Sequence, residues 1–170
     1  LIGDSMAQGT ITLFNEFGKS KGDGRINMAT DSFKVGFVTL QAGGTPTITA
    51  AYAVPTWGAG GTTNLSTSEV AAGGGYTAGG KAVAIPTWLL SGAVVTFDDS
   101  GANLLWTSAA SGDPATIKVA VIYSDTAANK DAVGFIHMTT HGTTVISLVA
   151  AAVVIDLKSA GIVAVTATAR

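Results

Sequence analysis

Gly75, Gly80 and Lys81, within the stretch GGGYTAGGKA (Gly73 to Ala82), stand at the spacing of the phosphate-cradling loop G-x-x-x-x-G-K-[ST]. Such a loop holds phosphates on backbone N–H groups between a buried strand and a helix N-terminus, and its final Ser or Thr holds Mg²⁺. Here the final position is Ala82, which has no oxygen, and the AVAIPTW that follows is β-like and contains Pro86. The preceding STSEVAAGG does not read as a buried strand. We therefore read a glycine turn in a chain with 22 glycines, and no nucleotide or other cofactor is expected.

The remaining reactive residues are sparse. His137 and His141 are the only histidines, and FIHMTTHGTT reads as a strand end running into a turn. Without a carboxylate alongside, two imidazoles make an incomplete zinc site. Asp98, Asp99, Asp113 and Asp125 fall at predicted strand ends, where aspartate favours turns by bonding the local backbone. They lack the spacing of a calcium-binding helix–loop–helix. There is no cysteine and no G-x-S-x-G elbow, so thiol and serine nucleophiles have no anchor. Trp57, Trp88 and Trp106 could form a sugar-stacking platform, although tryptophans at core or interface positions are the commoner case. No metal site and no enzyme is expected.

What must position these residues is a chain of 170 residues, long enough for one domain with a sizeable core. Hydrophobic residues make up 47% and charged residues 12%, and the mean hydropathy is +0.44. So little charge suits a surface that another protein covers. Net charge is −2, and the nine Lys and Arg residues form no basic run, which argues against a nucleic-acid partner. The longest apolar run, Val145 to Leu157, is shorter than the roughly 20 residues a membrane-spanning helix needs. Leu1 to Ser5 precede Met6, a candidate start, and lack the basic-then-apolar signature of a secretory leader.

The apolar spacing of Leu13, Phe14 and Phe17, with Gly18 behind them, predicts a short helix over Ile11 to Phe17. SFKVGFVTL alternates Phe33, Val35 and Phe37 against Lys34 and Gly36, the pattern of a half-buried strand. AVAIPTWLL reads as an edge or bulged strand because of Pro86. Further strands are expected in AVVTF, NLLWT, TIKVAVIY, AVGFIHM, TTVISLVAA running into VVIDL, and GIVAVTATA. Eight or more short strands between turns point to an all-β sandwich or barrel. Residues 1–10 read as an N-terminal arm ahead of a β-sandwich domain over 11–170. Within that domain, about 42–80 is an irregular excursion and the favoured interaction surface.

Read in order, several segments resemble the small virion structural proteins of tailed bacteriophages. They are LFNEFGKSKGDGRINMATDSFKVGFVT, EVAAGGGYTAGGKAV, VVTFDDSGANLLWTSA, IKVAVIYSDTA, VGFIHM and GIVAVTATA, spanning about Ile11 to Thr168. GYTAGG and AVIYSDTA are the most specific pieces. Thr45 to Thr63 departs from the polar, acid-rich loop usual there, and Lys118 stands near where an Arg often precedes the AVIY strand.

The resemblance implies a single antiparallel β-sandwich, jelly-roll-like, with one short N-terminal helix. It implies a capsid decoration (cement) protein on the outer surface of the virion. Such a protein binds between major capsid proteins, self-associates as a dimer or trimer, and engages neither nucleic acid nor membrane. In such proteins GYTAGG is a glycine-shaped approach to a core strand, with Tyr76 at the sandwich edge. Trp57 is the expected contact anchor, with Tyr52 and Leu65 in the same excursion and Thr10 at the end of the arm. The alternatives are a tail-associated tube or fibre protein and, outside phages, a carbohydrate-binding sandwich using Trp57 and Trp88.

Overall fold

The computed structural model describes residues 11–40, 47–84, 86–91, 94–99, 101, 103–109, 111–139, 145–157 and 163–166. Its centre is a five-stranded antiparallel sheet. The strands are β1 (Ile11–Leu13), β2 (Phe33–Val38), β5 (Lys81–Ala82), β9 (Val119–Ser124) and β10 (Ala132–His137), in the order β1-β10-β9-β2-β5. β9 and β2 pair over six residues, from Phe33 opposite Ser124 to Val38 opposite Val119.

Because side chains alternate across a strand, β2 sends Phe33, Val35 and Phe37 to one face and Lys34, Gly36 and Val38 to the other. Both faces are covered, and all six residues of β9 are buried. On the first face, Phe33, Val35, Phe37, Ala120 and Ile122 meet an outer layer of strands. That layer comprises β6 (Pro86–Ser91), β7 (Val94–Asp99), β8 (Leu104–Thr107), β11 (Ala152–Ile155) and β12 (Val163–Thr166). They form two antiparallel ribbons, ordered β12-β7-β6 and β11-β8. Phe33 packs on Phe97 with ring centroids 4.8 Å apart, and Phe37 packs on Trp106 at 4.5 Å.

On the second face, Val38, Val119, Val121 and Tyr123 are covered by Phe14, Ile48, Trp57 and Leu65. Trp57 lies parallel to the Tyr123 ring, with centroids 4.8 Å apart and planes 3° apart. Its indole edge fills the space over Gly36, where a Cβ would come within 2.5 Å of the ring. Trp57 follows directly on β3 (Pro55–Thr56), which pairs in parallel with β4 (Thr63–Asn64), and a 3₁₀ turn (Leu65–Ser68) continues from β4. The Trp57 N–H donates to the Lys130 carbonyl at 2.9 Å, tying this segment to the turn between β9 and β10.

The mostly β, antiparallel architecture matches expectation, but several expectations need correction. Ile11–Leu13 is a strand, because its backbone completes the edge of β10, and Ile11 and Thr12 are β-branched. The helix α1 instead spans Glu16–Gly22, running through Gly18. It has Glu16 in its first turn and Lys19 and Lys21 in its last, the charge order that the helix dipole favours. β2 is not half-buried, since the excursion folds back over its second face. Tyr76 does not sit at an edge: it is buried and stacked on Phe37 at 5.4 Å. Among the described residues of TTVISLVAA, Ile146 makes an isolated bridge to Ile117 and a turn follows; the strand described in this region is Ala152–Ile155. Residues 1–10, the expected arm, lie outside the described residues.

Trp57→Ala is expected to lower the unfolding free energy by about 3–5 kcal/mol, the range for truncating a buried aromatic. Urea denaturation of the variant measures this. A loss below about 1 kcal/mol, as at a surface position, would contradict the placement of Trp57 over Gly36.

Candidate functional site

The glycine loop is the first place where the sequence offered chemistry, and the geometry shows how its polar groups are used. Gly73 and Tyr76 exchange backbone hydrogen bonds at 3.0 and 2.9 Å. The Gly75 N–H donates to Asp113 Oδ1 at 2.6 Å, the Gly79 N–H to Glu69 Oε1 at 2.6 Å, and the Gly80 N–H to the Thr77 carbonyl at 2.9 Å. Five N–H groups that a phosphate cradle would present are thus already satisfied. Two carboxylates, Glu69 and Asp113, occupy the positions an anion would need. Lys81 Nζ donates to the Leu105 carbonyl and lies 5.6 Å from the centre of the Trp106 ring.

The loop is closed by two tyrosines that the sequence reading did not connect. The Tyr76 hydroxyl donates to Glu69 at 2.8 Å and accepts from the Phe37 N–H at 3.0 Å. The Tyr123 hydroxyl donates to the Gly79 carbonyl at 2.8 Å. Burial is the first cause pushing both phenols well above their ordinary pKa. The Glu69 charge adds to the rise at Tyr76, and the Asp125 charge adds to it at Tyr123. Gly80 is required for the close approach: at φ +76° its Cβ would lie 1.9 Å from the Val35 carbonyl oxygen.

The aspartates do structural work as well. Asp113 also accepts from Ser108 Oγ at 2.6 Å and from the Ala109 N–H. Asp125 pairs with Lys34 at 2.8 Å and Lys130 at 3.0 Å, and those hydrogen bonds, led by Lys34, hold its pKa low. Asp98 and Asp99 are the last two residues of β7. An ion-pair network that sequence alone did not suggest joins Arg25 to Asp131 at 2.5 Å and to Glu16 at 2.7 Å. Asp131 is buried; desolvation raises its pKa, and the Arg25 charge opposes that rise. His137 closes β10 with its ring 5.3 Å from Phe135, and His141 lies outside the described residues. No three metal-ligating side chains cluster among the described residues. No described helix is long and apolar enough to cross a membrane.

Of the residues expected at a contact surface, Trp57 is 5% exposed and Leu65 is 1% exposed, both inside the second core cluster. Neither presents a side chain outward, because the excursion that carries them serves as a lid on the sheet. Tyr52 is half-buried, stacked on Phe14 with its hydroxyl donating to the Thr47 carbonyl. Thr10 lies outside the described residues. Trp106 is fully buried, and one face of Trp88 carries the Lys21 ammonium 4.6 Å from the ring centre.

The large apolar side chains that stay exposed among the described residues lie elsewhere, on the outer strands and their turns. Leu105 (44%) and Val154 (48%) face each other across β8 and β11. Thr107 and Ala152 form the next exposed pair, so the paired positions of this outer face are uncharged, with Lys81 Nζ beside them on the Leu105 carbonyl. Val145 and Val149, in the segment before β11, are exposed as well. On β6, the neighbours Leu89 (63%) and Leu90 (70%) are both exposed. Adjacent strand residues point to opposite faces, so this end of the β6–β7 pair projects with neither face covered. The signal was present in NLLWT and VVIDL: consecutive apolar residues on a strand with one covered face leave alternate ones in water. With this geometry established, no family model, curated protein or solved structure was found to match the chain.

Gly80→Ala should destabilise the fold by more than the roughly 1–2 kcal/mol that a left-handed backbone alone costs, since the added Cβ meets the Val35 carbonyl; thermal unfolding measures this. For Tyr76 the folded pKa lies above the unfolded value near 10. Its contribution is therefore fully present below pH 10 and is lost as the pH rises above it. Tyr76→Phe should cost about 1–3 kcal/mol at neutral pH by leaving buried partners unsatisfied. It should also flatten the alkaline fall in stability above pH about 10, and an unchanged alkaline limb would contradict the assignment.

Proposed function

We propose that this chain is a structural protein of a tailed-phage virion, decorating the outer shell between major capsid proteins and stabilising the head. The observation that carries the reading is the exposed apolar face of β8 and β11, uncharged at its paired positions, with Leu105 and Val154 at its centre. The sequence resemblance over Ile11 to Thr168 supplies the context. Exposed apolar residues paired with uncharged neighbours across a ribbon favour burial against another protein. The reactive side chains of the glycine loop are engaged in holding the fold.

The mechanism is thermodynamic. A protein that binds the assembled shell but not its separated subunits lowers the free energy of the shell by mass action. A standard interface buries roughly 1,600 Å² in total. Repeated around a closed lattice, modest contacts add up to resistance against internal pressure. Burying the Leu105 and Val154 side chains supplies the apolar centre of such a contact, at about 1.5–3 kcal/mol for each one fully covered. Self-association as a dimer or trimer at lattice symmetry positions belongs to the same proposal.

The direct test is co-sedimentation of purified protein with shells that lack it. The wild-type chain should saturate the shells. Leu105→Lys together with Val154→Lys should bind at least about tenfold more weakly, a loss of about 1.4 kcal/mol, while melting at nearly the wild-type temperature. Failure of the wild-type protein to bind would overturn the role, and undiminished binding by the double variant would move the contact to another face.

A further inference from the structure

The contact of α1 with β6 leaves a cleft of about 270 Å³, lined by Lys21, Ile26, Asn27, Met28 and Trp88 among others. Its charge is unbalanced. Of the cations on α1 and the turn after it, Lys19 pairs with Asp23, and Arg25 pairs with Glu16 and Asp131. Lys21 has no carboxylate within ion-pair distance among the described residues. Two rings hold it in place instead, Phe17 at 5.5 Å and Trp88 at 4.6 Å from its ammonium. Contacts of this kind fix a lysine without neutralising it.

A second donor is nearby. Asn27 uses its side-chain oxygen to accept from the Ala29 N–H, and its backbone N–H donates to Asp31. Its amide nitrogen has no hydrogen-bond partner among the described residues. Asp31 accepts from Ser124 Oγ at 2.9 Å as well as from the Asn27 N–H, and among the described residues it makes no ion pair with Lys21. Ile26 and Met28 are buried and apolar. Leu90, two residues after Trp88, lies on the same face of β6 and is exposed.

We propose that this cleft binds an acidic side chain of a partner protein, presented on an extended segment with apolar residues beside it. Lys21 and Asn27 hold the carboxylate, and Trp88, Met28 and Leu90 cover the flanking residues. Two observations favour a peptide over a free acid or an acidic sugar. The described strands pair with β6 only along its β7 side, so its other edge offers backbone groups to an extended chain. The Trp88 face that would stack a sugar ring is occupied by the Lys21 ammonium. The inference concerns the chemistry of one cleft and does not depend on the virion reading.

The test uses blocked tripeptides and the indole N–H resonance of Trp88, which is the one half-exposed tryptophan, since Trp57 and Trp106 are buried. Acetyl-Leu-Glu-Leu-amide should shift this resonance saturably. Acetyl-Leu-Gln-Leu-amide should bind about tenfold more weakly, as expected when a charge-assisted hydrogen bond is lost. Lys21→Met keeps the apolar stem against Phe17 and Trp88 and should reduce binding of the Glu peptide to that of the Gln peptide; Lys21→Arg should retain it. Sodium acetate and glucuronate should not saturate the shift. The proposal is overturned by absence of a saturable shift with the Glu peptide, by equal affinity for the two peptides, by undiminished binding in Lys21→Met, or by glucuronate saturating the site.

Discussion

The packing of Trp57 over Gly36 is the contact on which the rest of this structure depends. A central sheet whose strands are apolar on both sides needs two covers. The outer strands supply one through Phe97, Leu104 and Trp106. The other comes from a segment with almost no regular structure, which can lie flat only because position 36 has no side chain. Trp57 then stacks on Tyr123, and the hydroxyl of Tyr123 reaches the glycine loop at Gly79. Tyr76 enters from that loop to stack on Phe37, and Glu69 holds both Tyr76 and the Gly79 N–H. One chain of contacts therefore joins the lid, the sheet and the loop.

This arrangement divides the molecule into a side that is finished and a side that is not. Over the lid, large apolar residues are buried and cations are paired: Lys34 and Lys130 with Asp125, and Arg25 with Asp131. On the outer layer, Leu105, Val154, Leu89 and Leu90 remain in water on short ribbons. A two-stranded ribbon such as β8–β11 has little interior of its own, and its outer face gains from being covered. The proposed attachment to a shell assigns that cover to a neighbouring protein.

Much of the fold was legible in the sequence, for identifiable reasons. β2, β7, β8, β9 and β10 alternate or run apolar between turn residues, and Pro86 marks β6 as an edge strand, which it is. The start of the chain misled because Leu13, Phe14 and Phe17 have helical spacing, while β-branched Ile11 and Thr12 are taken by the open edge of β10. The excursion misled more: its Gly, Thr and Ala content reads as a surface loop, and nothing local reveals that Gly36 leaves room for Trp57. The network of Arg25, Glu16 and Asp131 was not legible either, since Arg25 and Asp131 lie 106 residues apart. At the near-match to a phosphate loop, Ala82 and Pro86 pointed to extended chain rather than a helix, and β5 and β6 follow there. Why the turn needs its glycines became clear only from the Val35 carbonyl beside Gly80.

The measurement that bears most directly on the proposed role is the amount of this chain in purified particles relative to the major shell protein. Quantitative mass spectrometry of both proteins in the same sample would supply it. The account predicts a fixed ratio set by the lattice, with one copy, or a small symmetric group of copies, for each repeating unit of the shell. A particle carrying only a few copies would place the protein at the tail or a vertex. Its absence from particles would contradict the account altogether.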